Sequence, residues 1–140
     1  MANHARVERA APARATDESL QAAVSAAHAG LEKKAEHVRI LDVRGLASYT
    51  DFLVLMTATS DRQVGAVADA VDGQLRKLGH RPIGVEGQGA GNWILIDAGD
   101  VVVHVFQEDA RGFYDLDSLW SDARTVPVPP EPRPAVAPVH

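Results

Sequence analysis

The sequence contains no cysteine. A disulfide framework, a cysteine-based zinc site and a thiol nucleophile are all excluded by that absence. Long apolar runs are missing as well. No window approaches the ~18 consecutive apolar residues of a membrane-spanning helix, so no membrane partner is expected. Aromatics are few: two Trp, two Tyr and three Phe. Positive charge is in deficit, with 14 Lys and Arg against 19 Asp and Glu and a formal net charge of −5. A broadly basic nucleic-acid-binding domain does not fit that balance, and little direct nucleic-acid contact is expected. What the chain does have is 46% apolar residues in a length of 140. That is enough to pack one domain and too short for two full cores. The missing cysteines suit a reducing compartment, and a cytoplasmic location is expected.

The two ends differ from the middle. Residues 1–16 carry Arg6, Arg9 and Arg14 among alanines, without the apolar segment of a secretory signal. They read as a disordered arm. At the other end, six of the eight prolines fall between Pro127 and Pro138. Proline fixes φ and lacks the backbone N–H, so residues 124–140 read as a disordered or polyproline-like tail, in which Pro129–Pro132 (PPEP) has an SH3-ligand flavour. A single domain over residues 17–123 remains.

Within it, Thr16-Asp17-Glu18 reads as the start of a helix that continues through Leu20, Val24, Ala27, Leu31 and Ala35. Val38–Val43 alternates as a strand. Phe52–Thr57 is a continuous apolar run, the mark of a strand buried on both faces. Ser60-Asp61-Arg62-Gln63 forms a capping box, followed by a helix with Val64, Val67, Ala68, Val71, Leu75 and Leu78 on one face and Gly79 at its end. Pro82–Glu86 reads as a short strand. Trp93–Asp97 and Val101–Phe106 read as a hairpin joined through Asp97-Ala98-Gly99-Asp100. Residues 108–123 read as one or two short helical turns. The order predicts an α/β domain, with a mixed sheet of about five strands flanked by helices.

No catalytic constellation emerges. Gly87-Gln88-Gly89-Ala90-Gly91 resembles a phosphate loop, but it precedes a strand where a phosphate loop must open a helix. Ser60 with Thr57, Thr59 and Arg62 offers an anion-friendly helix start, for which capping is the plainer reading. Asp97, Asp100 and His104 have the chemistry for a metal or for acid–base work, but both aspartates flank a tight turn, where Asp is common. No catalytic residue, metal ligand or cofactor is assigned.

One distribution stands out. Between Asn92 and Ala123 there are seven acids, Asp97, Asp100, Glu108, Asp109, Asp115, Asp117 and Asp122, against the single base Arg111. Five of the seven aromatics lie in the same stretch: Trp93, Phe106, Phe113, Tyr114 and Trp120. Aromatic anchors in an acidic surround suit an interface with a basic partner. The competing reading makes the aromatics core and the acids a solvated rim.

These residues also carry a resemblance. Asp51-Phe-Leu-Val, Thr59-Ser60-Asp61-Arg62-Gln63-Val64, Glu86-Gly87, Trp93-Ile-Leu-Ile-Asp97, Gly99-Asp100-Val-Val-Val-His104-Val-Phe106, Arg111, Phe113-Tyr114-Asp115-Leu116 and Leu119-Trp120 occur in the order found in the ribosomal silencing factor (RsfS, or Iojap) family. The chain resembles that family over residues 17–123. It departs at Ala58, at Gly112 and at Asp117-Ser118, where the family commonly has glycine, an acid and Glu-Arg. The resemblance implies a nucleotidyltransferase-like fold without the active site. It also implies binding to the large ribosomal subunit through its ribosomal protein fourteen, a steric block of subunit joining that represses translation, and a possible homodimer. On this reading Trp93 and Tyr114 are anchors. Asp97, Asp100, His104 and Asp115 complete the partner-binding surface, with Glu86 at its edge. The strands are apolar on both sides, so the sequence does not say which sheet face carries the surface. The alternatives are a nucleotidyltransferase-like enzyme, whose Asp-x-Asp signature only Asp115-Leu116-Asp117 approaches, and a self-associating scaffold.

Overall fold

A computed structural model describes residues 13–87 and 92–130, with side chains from Asp17 onward. The Gly-rich loop from Gln88 to Gly91, the first twelve residues of the arm and the last ten of the tail lie outside the described residues, as does the second half of the PPEP segment, Glu131-Pro132. The element order is α1 (Ala13–Glu32), β1 (Glu36–Asp42), β2 (Phe52–Ala58), α2 (Asp61–Lys77), β3 (Gly84–Glu86), β4 (Trp93–Asp97), β5 (Val101–Gln107), α3 (Glu108–Tyr114), α4 (Leu116–Leu119) and β6 (Arg124–Val126).

The sheet is mixed, in the order β3-β4-β5-β2-β1-β6. Neighbours are antiparallel except the central pair β2 and β5, which run parallel from Phe52↔Val101 to Ala58↔Gln107. The fold class follows the sequence, with one strand more than the expected five. That strand, β6, starts at Arg124, where the disordered tail was expected to begin. Arg-Thr-Val precedes the first tail proline, so its backbone donors are free to pair, and it hydrogen-bonds to the edge of β1 at Ile40, Leu41 and Asp42. Val128 then packs on the core, and the His28 ring hydrogen-bonds the Pro129 carbonyl at 2.6 Å, so ordered chain extends past residue 123. A second correction lies at the other end. Helix α1 begins at Ala13, a turn before the expected cap at Thr16, because Ala-Arg-Ala is strong helix-forming sequence.

Helix α2 matches its reading closely. The Ser60 hydroxyl accepts from the Gln63 backbone N–H at 3.1 Å. The Gln63 side chain, however, does not return to the Ser60 N–H. Its oxygen accepts from the Thr59 backbone N–H and hydroxyl, and its nitrogen donates to the Lys33 and Lys34 carbonyls, tying the end of α1 to the start of α2. At the far end Gly79 N–H donates to Arg76 O and His80 N–H to Leu75 O, the paired bonds of a Schellman motif. Val64, Val67, Ala68, Val71 and Leu75 are buried as expected, while Leu78, at the cap, is exposed.

Strand alternation sorts the sheet residues onto two faces. Ile40, Val54, Met56, Ile94, Ile96, Val103 and Val105 lie under α1 and α2. The α1 face is alanine-rich (Ala22, Ala23, Ala26 and Ala27, all fully buried), so the helix backbone approaches the sheet closely. The second face carries Leu41, Leu53, Leu55, Val102 and Phe106. Among the described residues no long helix lies over it.

Candidate partner-binding face

The strand registers map the second face in rows. One row runs Trp93, Phe106, Thr57. The next runs Glu86, Leu95, His104, Leu55, Arg39, and a third runs Gly84, Asp97, Val102, Leu53, Leu41, Thr125. The β2–β1 half of this face is covered by the chain's end. Leu116, Trp120 and Ala123 pack against the cluster that includes Leu41, Val43, Leu53 and Leu55. On the β4–β5 side Val102, His104 and Phe106 are buried too, with Ala110 of α3 and Ala47 in the same cluster, while Trp93 and Leu95 of β4 are left half-buried.

Short helices α3 and α4 are held on this face by one charged network. The Arg111 guanidinium donates through Nε and Nη2 to both oxygens of Asp117, at 3.0 Å each. Its Nη1 reaches the Thr57 hydroxyl at 2.9 Å and the His37 carbonyl at 2.6 Å. Arg39 adds a second clamp on Asp117 at 2.7 Å and bonds the Thr125 hydroxyl. Hydrogen bonds from Arg111, then those from Arg39, hold the Asp117 carboxyl down to about 2. The His37 carbonyl can face Arg111 because His37 sits at φ 49 in a bulge that shifts the β1 register between Glu36 and Arg39. Arg39 and Asp117 went unread as site residues because their pairing spans 78 positions of sequence.

Where that network ends, the aromatic cluster begins. Tyr114, the last residue of α3, brings its ring to 4.3 Å from that of Trp93, centroid to centroid. Trp93 stacks on Phe106 at 5.2 Å and its indole N–H donates to His104 Nδ1 at 3.1 Å. Phe113 stands edge-on to Tyr114 at 5.0 Å and is 80% exposed, the most open aromatic of the group. Tyr114 is 46% exposed. His104 is only 6% exposed, and burial pushes its imidazole down to about 4, so the ring is neutral at pH 7. Gly87 sets where β4 starts. At φ 89 its Cα lies so near the Trp93 carbonyl that a Cβ would stand 2.1 Å from the oxygen, so no other residue fits there without moving Trp93.

The seven expected site residues divide. Trp93, His104 and Tyr114 are in contact, Asp97 shares their sheet face, and Glu86 lies opposite Leu95 at its edge. Asp97 also accepts from the Gly99 N–H at 2.9 Å and raises the phenol pKa of exposed Tyr49 after burial has done so. Asp115 sits at φ 48 between the short helices, where its carboxylate caps Ser118 N–H while staying exposed. Asp100 goes elsewhere: its carboxylate accepts from the Ser19 hydroxyl of α1 at 3.1 Å, toward the helix-covered side. The seven acids of this stretch therefore do not form one surface. Phe113, Leu95 and Tyr49 are the surface residues that pattern reading passed over. For Phe113 the signal was present, an aromatic beside Tyr114 in an acidic stretch.

The arrangement defines a small α/β domain, a sheet closed by helices on one face and half open, with aromatics, on the other. The sequence matches the family described as "Ribosomal silencing factor during starvation" over residues 16–138. It is 41% identical over 109 residues to ribosomal silencing factor RsfS of Halalkalibacterium halodurans, covering 78% of this chain and 91% of that one. Against RsfS of Bacillus subtilis the identity is 40% over 92 residues, 66% and 78% of the two chains. The chloroplastic protein Iojap of Zea mays is 36% identical over 115 residues, which span 80% of this chain and 49% of the longer plant protein. A crystal structure of a Chromobacterium violaceum protein superposes with a TM-score of 0.71 at 34% identity, covering 84% and 92% of the two chains. The chain belongs to the RsfS ribosomal silencing factor family.

Proposed function

We propose that this protein is a ribosomal silencing factor that uses the open half-face of its sheet to dock on ribosomal protein fourteen of the large subunit. Seated there it blocks joining of the small subunit and so represses translation. The observation that carries the reading is the Trp93–Tyr114–Phe113 cluster, aromatic surface left uncovered beside the edge residues Glu86, Asp97 and Asp115. Soluble domains bury such groups unless a partner supplies the cover, and aromatic anchors with an acidic rim suit a basic ribosomal protein. The relatives carry the names of ribosomal silencing factors.

The reading is of a non-enzymatic, cytoplasmic factor that works by occupying a surface. Asp117, the second acid of the Asp115-Leu116-Asp117 spacing, is taken by two arginines, which leaves that pair unsuited to gripping metal ions around a triphosphate. A sucrose gradient of lysate at moderate magnesium tests the proposal. The protein is expected with free large subunits and absent from joined ribosomes. Migration only at the top of the gradient contradicts it, and a stable homodimer there whose formation Trp93→Ala abolishes assigns the face to a second copy instead.

A further inference from the structure

We propose that His104 is a positioning residue for the docking face: by accepting the Trp93 indole N–H it fixes the orientation in which Trp93 meets the partner. This rests on the reading of the open half-face given above.

Trp93 opens β4, its carbonyl close against Gly87 and its backbone paired with Phe106. Its ring rests on Phe106 at 5.2 Å and 27°, and Tyr114 touches it at 4.3 Å and 44°. Ring packing of this kind sets the plane of an indole but tolerates rotation within it. A directional hydrogen bond removes that freedom, and His104 Nδ1 supplies one at 3.1 Å. The indole is a donor only, so Nδ1 must be the acceptor and the proton of the neutral imidazole sits on Nε2.

The platform is rigid. His104 occupies β5 with hydrogen-bonded strands on both sides, opposite Leu95 of β4 and Leu55 of β2. Its ring lies nearly parallel to Phe106, at 8° and 5.7 Å. With so little surface exposed, His104 is not itself a broad contact for a partner. Burial keeps the ring neutral around pH 7, which preserves Nδ1 as an acceptor. An anchor held in its bound orientation before docking avoids the ordering cost of finding it afterwards.

The test compares His104→Leu, His104→Asn and His104→Gln with Trp93→Ala and the unaltered chain. Affinity is measured for purified large ribosomal subunits, and the Trp93 indole N–H resonance, assigned by its loss in Trp93→Ala, is followed in the free protein. Asn places an oxygen near the position of Nδ1, whereas Gln places it one bond further out. Loss of one neutral hydrogen bond and its pre-organisation is expected to weaken binding ~5-fold in His104→Leu and His104→Gln. His104→Asn recovers most of the affinity and returns the indole resonance toward its original position. Should His104→Leu fail to fold, the Asn and Gln pair decides the matter alone. Normal affinity in His104→Gln, or loss without rescue by Asn and without movement of the resonance, overturns the proposal while a weakened Trp93→Ala leaves the docking face standing. Normal binding by Trp93→Ala overturns both.

Discussion

The two faces of the sheet are built from the same strands and differ in what covers them. Under α1 and α2 the strands present Val, Ile and Met to alanines and valines, with nearly every side chain fully buried. On the other face the cover is improvised from a loop, two short helices and Trp120, and it leaves Trp93 and Leu95 of β4 half-buried. The closed face is held by area, because each fully buried aliphatic side chain contributes about 1.5–3 kcal/mol. The half-open face adds to its smaller apolar cluster directed polar bonds around Arg111, Asp117 and His104, whose value depends on geometry. If recognition belongs to the half-open face, as proposed, substitutions on the two sides should separate stability from binding.

The largest effect belongs to the closed face. Leu75→Ala leaves a cavity between α2 and the sheet and is expected to cost about 3 kcal/mol in denaturant unfolding, with unchanged partner affinity per folded molecule. A fall in affinity as large as the fall in stability would break the division. Next is the response to acid. Folded His104 titrates near 4 against an ordinary 6.5, so between those values the unfolded chain binds the proton and the folded one does not. Its contribution is complete above pH 6.5 and is lost as pH falls toward 4, of order 3 kcal/mol in all. Unfolding curves at pH 7.5 and 4.5 check this, and His104→Asn should flatten the difference. The Asp42 and Asp117 contributions, lowered by their arginine partners to about 2 from 3.8, persist above 3.8 and disappear only below it.

Arg111→Ala should act on both properties at once. It frees α3 from Thr57 and His37 while Arg39 still holds Asp117, for a loss of about 2 kcal/mol in stability, less than for a fully stranded buried charge. Affinity falls with it, because Tyr114 rides on α3. A stability loss with unaltered affinity would show that Tyr114 keeps its place without the clamp. The smallest effect is expected at Asp100→Ala, which removes the bond to Ser19 on the helix side. About 1 kcal/mol of stability is lost and partner affinity is unchanged; weakened binding would return Asp100 to the docking face.

Much of this division was legible before folding. The continuous apolar run Phe52–Thr57 marked a strand buried on both faces, and Val101–Phe106 was legible as the partner of Trp93–Asp97 in a hairpin. The Ser60 cap and the Gly79 terminus bounded α2 through local chemistry alone. Strand β6 escaped notice since three residues ahead of a proline-rich tail carry no periodicity, and only the free edge of β1 makes them a strand. The site was legible as a list and not as a surface. Trp93, His104 and Tyr114 came together, whereas local acid density overstated the acidic face. Asp117 is neutralised by arginines 6 and 78 positions away, and Asp100 is drawn to a helix 81 positions away. Partners 78 and 81 positions away leave no mark in a local reading. Asp117 also stands at one of the positions where the sequence departs from the family pattern, which hid its role further.

The central claim is that the open aromatic half-face is the docking surface for the large ribosomal subunit. Binding of Trp93→Ala and of the unaltered chain to purified large subunits, each first shown to be folded by its unfolding transition, tests it most directly. Loss of a central aromatic anchor should cost about 2 kcal/mol, a roughly 30-fold weaker Kd. Equal affinities for the two proteins would contradict the account.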